Sequence, residues 1–279
     1  MKKLCLALVV IIVASTLVGF KSVDKELMML EWALANVKKH ASVEMVSIGS
    51  SEGTIAGLVD IASTVLINFE NGEATEYYRL SLSRSNATGI FGNIANDIAT
   101  RAKRTYYKAG TDSVYTQKRA HRTAVGEMPN LVPDFANTTV DSQLRAEYEN
   151  DLQRGVFDFF FYNVNKQTIS KVVKKLEFNK ADRTWSFAFE LNSDAAALSK
   201  IEIMQSGGLA QVEYKSLVLT FTIDEGGRLV RVVSEGAYCA KLKGLAKLAG
   251  TQHTQITTTT TFKYNDTPRE MPWSTKNIC

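Results

Sequence analysis

The sequence predicts an α+β protein whose strands pair antiparallel, and three observations carry that expectation. Tight-turn signals recur at Asn71-Gly72, Gly110-Thr111-Asp112 and Glu225-Gly226-Gly227, each between segments rich in strand-forming residues. Apolar residues recur at helical spacing in only a few segments. All four prolines fall in two places, Pro129 and Pro133 near the middle and Pro268 and Pro272 in the tail. Proline is excluded from central strands, so the remaining segments are free to hold long ones.

The chain opens with "MKKLCLALVVIIVASTLVGF", two lysines followed by an apolar run from Leu4 to Phe20. That pattern reads as a secretory leader over residues 1–21. No A-x-A triplet follows it, and the run is near the lower limit for crossing a bilayer, so a cleaved peptide and an uncleaved signal anchor both stay open. Either way the lysines stay inside and the rest is exported. The expected location is extracytoplasmic, secreted or held at the outer face of the cytoplasmic membrane. Residues 22–266 are expected to form a single domain, its halves joined by the loop 126–138, with 267–279 as a tail.

Within the domain, Val23, Leu27, Leu30, Leu34 and Val37 step by four and three, which predicts an amphipathic helix. Past the Asn71-Gly72 turn, Tyr78, Leu80 and Leu82 alternate with Arg79, Ser81 and Ser83, the pattern of a hairpin with one wet side. The second half opens with Leu144, Tyr148, Leu152, Val156 and Phe159 at helical steps, and Asp141 lies where a helix dipole favours a carboxylate. Trp185, Phe187 and Phe189 then alternate with Ser186 and Ala188, and Ser193 caps a second predicted helix. Leu217, Leu219, Phe221 and Ile223 share one face of the next strand. The last strand is "ITTTTTFKY", with Ile256, Thr258, Thr260, Phe262 and Tyr264 on one side. Threonine is β-branched and suits a strand. Its hydroxyl accepts water and its methyl accepts apolar contact, so the run reads either as the outside of a sheet or as the lining of a partly wet hollow.

Chemistry is sparse. The formal charge is +4, and Lys2 and Lys3 supply two of those charges, which argues against a nucleic-acid partner. His40, His121 and His253 are far apart, and neither H-E-x-x-H nor paired CxxC motifs occur, so no metal site, cofactor or catalytic residue is expected. Cys239 shows no neighbouring base in the sequence. It forms a disulfide candidate with Cys279, the alternative being two unpaired thiols. The basic runs "RAKRTYYK" and "KLKGLAKLAG" read as solvated faces or as surface for anionic head groups.

The stretches "RTYYKAGTDSVYTQ", "LTFTIDEGGRLVRVV" and "QITTTTTFKYND" give the chain its likeness to a known group. It resembles the LolA/LppX-like lipoprotein-carrier superfamily, in exported bacterial form. The resemblance implies a strongly curved antiparallel sheet, an open half-barrel, with helices covering its concave face. It implies an apolar ligand, a lipid or another small molecule, held between sheet and helices without catalysis. The expected lining is Tyr78, Leu80, Leu82, Trp185, Phe187, Phe189, Leu217, Leu219, Phe221 and Ile223. The other open reading is a monomeric cell-envelope module with a filled core, whose partner is an envelope protein or the membrane surface.

Overall fold

The computed structural model describes residues 28–54, 57–85, 101–120, 134–152, 155–157, 173–181, 184–191, 209–242 and 250–274. The leader, the loop around Pro129 and Pro133, the helix expected after Ser193, and His121 and Cys279 lie outside them. Helix α1 (28–37) leads into β1 (Ser42–Gly53), β2 (Gly57–Glu70), β3 (Glu73–Ser85), β4 (Arg101–Lys108), β5 (Ser113–Ala120) and β6 (Val140–Leu144). Helix α2 (Arg145–Leu152) follows, then β7 (Val173–Ala181), β8 (Thr184–Leu191), β9 (Leu209–Ile223), β10 (Leu229–Leu242) and β11 (Thr251–Asn265).

These strands make one 11-stranded sheet in the order β6-β5-β4-β3-β2-β1-β11-β10-β9-β8-β7. The chain starts at the centre, meanders out to the β6 edge, resumes at the β7 edge and meanders back to pair β11 with β1. The described pairings are antiparallel and the sheet is open, as the sequence predicts. Register shifts in β10 against β9, between Leu229 and Arg231 and between Ala237 and Tyr238, insert extra residues that bend and twist this curved sheet.

The turns form where expected. Asn71 and Gly72 sit at φ 53° and 81°, the left-handed pair that a two-residue hairpin needs. Gly227, at φ 71°, closes the β9–β10 turn, where Arg228 N donates to Asp224 Oδ1 at 2.8 Å.

One expectation fails. The helix predicted from Asp141 begins only at Arg145, because Val140–Leu144 pairs as an edge strand with β5. Leu144 lies opposite Ser113 and is exposed, and Arg145 N donates to Asp112 O at 2.7 Å. The helical spacing of Leu144 therefore has no structural meaning, and the helix has no buried residue.

Backbone register assigns each strand residue to one of two faces. The inner face carries α1: Val37 packs with Val43, Met45, Val65 and Ile67. The outer face carries a second core, in which Ala62, Leu66, Tyr78, Leu80 and Leu82 are covered by Phe135 and by Met271 and Trp273 of the tail. In β2 and β3 both faces are thus buried, and the sheet is the middle of three layers there.

Candidate functional site

The inner face has two textures. On β9, Leu217, Leu219, Phe221 and Ile223 are buried, and Val232 of β10 lies opposite Phe221. Phe187 and Phe189 of β8 stand opposite Phe221 and Leu219, and Trp185 opposite Ile223, so register brings all seven predicted positions of β8 and β9 to this face. On the same face a middle stretch of the central strands is written in small residues, while Val43, Met45, Val65, Ile67 and Phe262 hold the end that packs with Val37 of α1. Ser47, Gly49 and Ser51 of β1 stand opposite Thr260, Thr258 and Ile256 of β11. Ser63 of β2 stands opposite Ser47. Ser47 and Thr260 share a hydrogen bond of 2.8 Å between their hydroxyls, which satisfies each without filling space. The threonine run splits by alternation: Thr257 and Thr261 are exposed on the outer face, and Thr258 and Thr260 are half-buried on the inner one.

The structure does not bring Tyr78, Leu80 and Leu82 to that wall. Register pairs them with Leu66, Thr64 and Ala62 on the outer face, under the tail. They therefore cannot line one hollow with Leu217 and Phe221. The alternation of β3 shows that the three share a face; only the docking of the tail shows which.

That tail is fastened by polar contacts. Arg269 N donates to Asn68 Oδ1 at 3.0 Å, and Asn68 Nδ2 returns a bond to Arg269 O at 2.8 Å. Arg269 also pairs with Glu44. Further along, the Arg104 guanidinium lies between the rings of Phe135 and Trp273, at 4.4 and 4.3 Å. Burial lowers Arg104 below the usual guanidinium range, against the opposing pull of Tyr78 and Asp134. Burial raises the Tyr78 phenol, and Arg104 opposes that shift.

Cys239 acquires a neighbour that its sequence context hides. The β10–β11 register places His253 directly opposite it, and Cys239 Sγ lies 3.1 Å from His253 Nδ1. Cys239 is a free cysteine. Its disulfide candidate, Cys279, lies outside the described residues.

At the end of α1, Lys38, Lys39, His40, Phe69, Gly72 and Asp266 surround an open surface hollow of about 620 Å³. It lies beyond the row of inner-face positions discussed above. His40 packs on Tyr264, with ring centroids 4.7 Å apart, and its Nδ1 is 3.5 Å from Asp266. Among the described residues no group of three metal-ligating side chains comes together, and no helix is long and apolar enough to cross a membrane.

No protein-family model and no curated protein matches the chain. Among solved structures it is similar to a DUF1329 family protein from Desulfovibrio piger, with 9% identity, a TM-score of 0.28, and coverage of 90% of this chain and 95% of that one. It is also similar to a LolA superfamily protein from Nitrosomonas europaea, with 9% identity, a TM-score of 0.24, and coverage of 88% and 94%. A third similar structure is an outer membrane lipoprotein-sorting protein domain from Vibrio parahaemolyticus, with 9% identity, a TM-score of 0.25, and coverage of 88% and 95%.

Proposed function

We propose that the chain is an exported, non-catalytic carrier that holds a lipid or another apolar molecule against the inner face of the sheet. The observation that carries this reading is the contrast on that face. A bulky wall of Leu217, Leu219, Phe221 and Ile223 stands beside a middle stretch of the central strands whose inner positions include Ser47, Gly49, Ser63, Thr258 and Thr260. Small side chains leave volume that large ones would fill, and the wall supplies an apolar boundary for it. Each buried CH₂ of an acyl chain contributes about 0.8 kcal/mol, so a chain of roughly 16 carbons gains on the order of 10 kcal/mol before association costs.

The second reading is the envelope-interaction module with a filled core. The near-complete burial of Phe221 and Ile223, both 0% exposed, favours it. In a carrier, whatever covers these residues in the empty state must move aside for the ligand. Titration with a fluorescent fatty acid separates the two. Saturable, one-to-one binding that unlabelled palmitate competes away supports the carrier; a protein that takes up no probe is the filled-core module.

A further inference from the structure

On the outer face, β10 and β11 bring a nucleophile and a base together. Cys239 and His253 stand directly opposite in register, with Sγ 3.1 Å from Nδ1. Their strand neighbours Tyr238, Ala240, Gln252 and Thr254 point the other way and are buried. His253 is fixed against the end of β1: its N donates to Thr54 Oγ1 at 3.2 Å, and its O accepts from Thr54 N at 3.0 Å. Cys239 is half-buried and His253 exposed, so solvent and small solutes reach the pair. On the other flank Glu213 stands opposite Cys239, and the register shift between Ala237 and Tyr238 makes Lys215 the extra residue of β9. Lys215 Nζ donates to Glu213 Oε1 at 2.7 Å. That bond and the Glu213 charge raise the Lys215 ammonium above its ordinary range, desolvation opposes the shift, and Cys239 adds a smaller push upward. Lys241, Glu235 and Glu52, all exposed, stand on the same face in the neighbouring rows. The charges around the pair are therefore mixed and select no sign of reactant.

We propose that Cys239 is a covalent modification site, a base-assisted thiol that exchanges with a low-molecular-weight disulfide and keeps one of its halves. The inference is independent of the carrier reading, which concerns the inner face. A thiol attacks as its thiolate, and at neutral pH an isolated thiol is largely protonated. A base within hydrogen-bond reach removes that limit by taking the proton during the attack. Here His253 Nδ1 takes the thiol proton while Cys239 Sγ attacks one sulfur of the disulfide. The new S–S bond forms on Cys239 and the bond within the reactant breaks. The leaving thiolate then recovers the proton from the imidazolium. One disulfide is consumed and one is made, so the exchange needs no further oxidant. A half-buried sulfur on a sheet face, flanked by side chains of both neighbouring strands, admits a small disulfide more readily than one held within a folded partner. Oxidising compartments, where an exported chain resides, hold such disulfides.

The test reduces the full-length protein, removes the reductant, adds oxidised glutathione and follows the adduct by peptide mapping at timed intervals. At pH 7, Cys239 is expected to take one glutathione about tenfold faster than it does in His253→Gln. At about pH 10, where thiols ionise without help from a base, the two rates are expected to converge. A substitution that merely loosened the strands would uncover the sulfur and speed the reaction, so a slower rate reads the base and not a folding defect. Equal rates at pH 7 overturn the inference. A difference that persists undiminished at pH 10 also overturns it, because His253 would then act on access and not on the proton. So does a protein in which Cys279 is modified while Cys239 stays free, or in which a Cys239–Cys279 bridge takes the place of the adduct.

Discussion

Trp32 lies over Gly227, so close that a Cβ on the glycine would fall inside the indole. Asn36 Nδ2 donates to the carbonyl of the same glycine at 3.3 Å. One residue, at φ 71°, therefore closes the β9–β10 turn and seats helix α1 against it. Gly227→Ala strains the backbone and displaces the indole together. The expected loss is about 2–4 kcal/mol in a denaturant titration, most of it beyond the roughly 1 kcal/mol of a left-handed alanine. A loss under about 1 kcal/mol would mean that α1 is not held there.

Tyr264 donates its hydroxyl to Leu229 O at 2.6 Å across β11 and β10. Tyr264→Phe leaves a carbonyl short of its partner, and about 1–2 kcal/mol of stability should go with it. An unchanged midpoint in urea would show that water takes over the bond.

Burial raises the phenols of Tyr264, Tyr238 and Tyr78 above their ordinary value of 10.0. Above about pH 10 the unfolded chain releases these protons while the fold retains them, so the folded state binds more protons and stability falls as pH rises. Below pH 10 the contribution is fully present. Melting temperature should hold level up to that point and decline beyond it, and Tyr264→Phe should shallow the decline. A melting temperature that rises from pH 10 to 11 contradicts the assignment.

The outer core depends on the tail. Trp273 is 2% exposed, stacks on Arg104, and meets Tyr106 edge-on at 6.4 Å. Trp273→Ala should cost about 3–5 kcal/mol and uncover Leu80 and Leu82, read as new binding of a hydrophobic dye to the native protein. Stability unchanged by the substitution would show that the tail is not part of the core.

Cys239 should carry a free thiol under native conditions. Peptide mapping after alkylation without reductant is expected to find it labelled, and a linked Cys239–Cys279 peptide would contradict that.

Much of this fold is legible in the sequence because its signals are local. Asn71-Gly72 announces a hairpin through backbone conformation alone, and Leu30, Leu34 and Val37 announce α1 through periodicity; all three are buried. The misread elements depend on distant partners. Val140–Leu144 is a strand only because β5 offers an edge. Tyr78, Leu80 and Leu82 face outward only because Met271 and Trp273, in a proline-bearing tail that reads as a loop, cover them. The Cys239–His253 contact exists only in the register, which no single strand contains.

The carrier reading is tested most directly by native mass spectrometry of the full-length protein purified without detergent, followed by solvent extraction. One lipid per protein, released by solvent, is the predicted result. A bare mass that stays bare after incubation with fatty acids and phospholipids contradicts it and leaves the filled-core module.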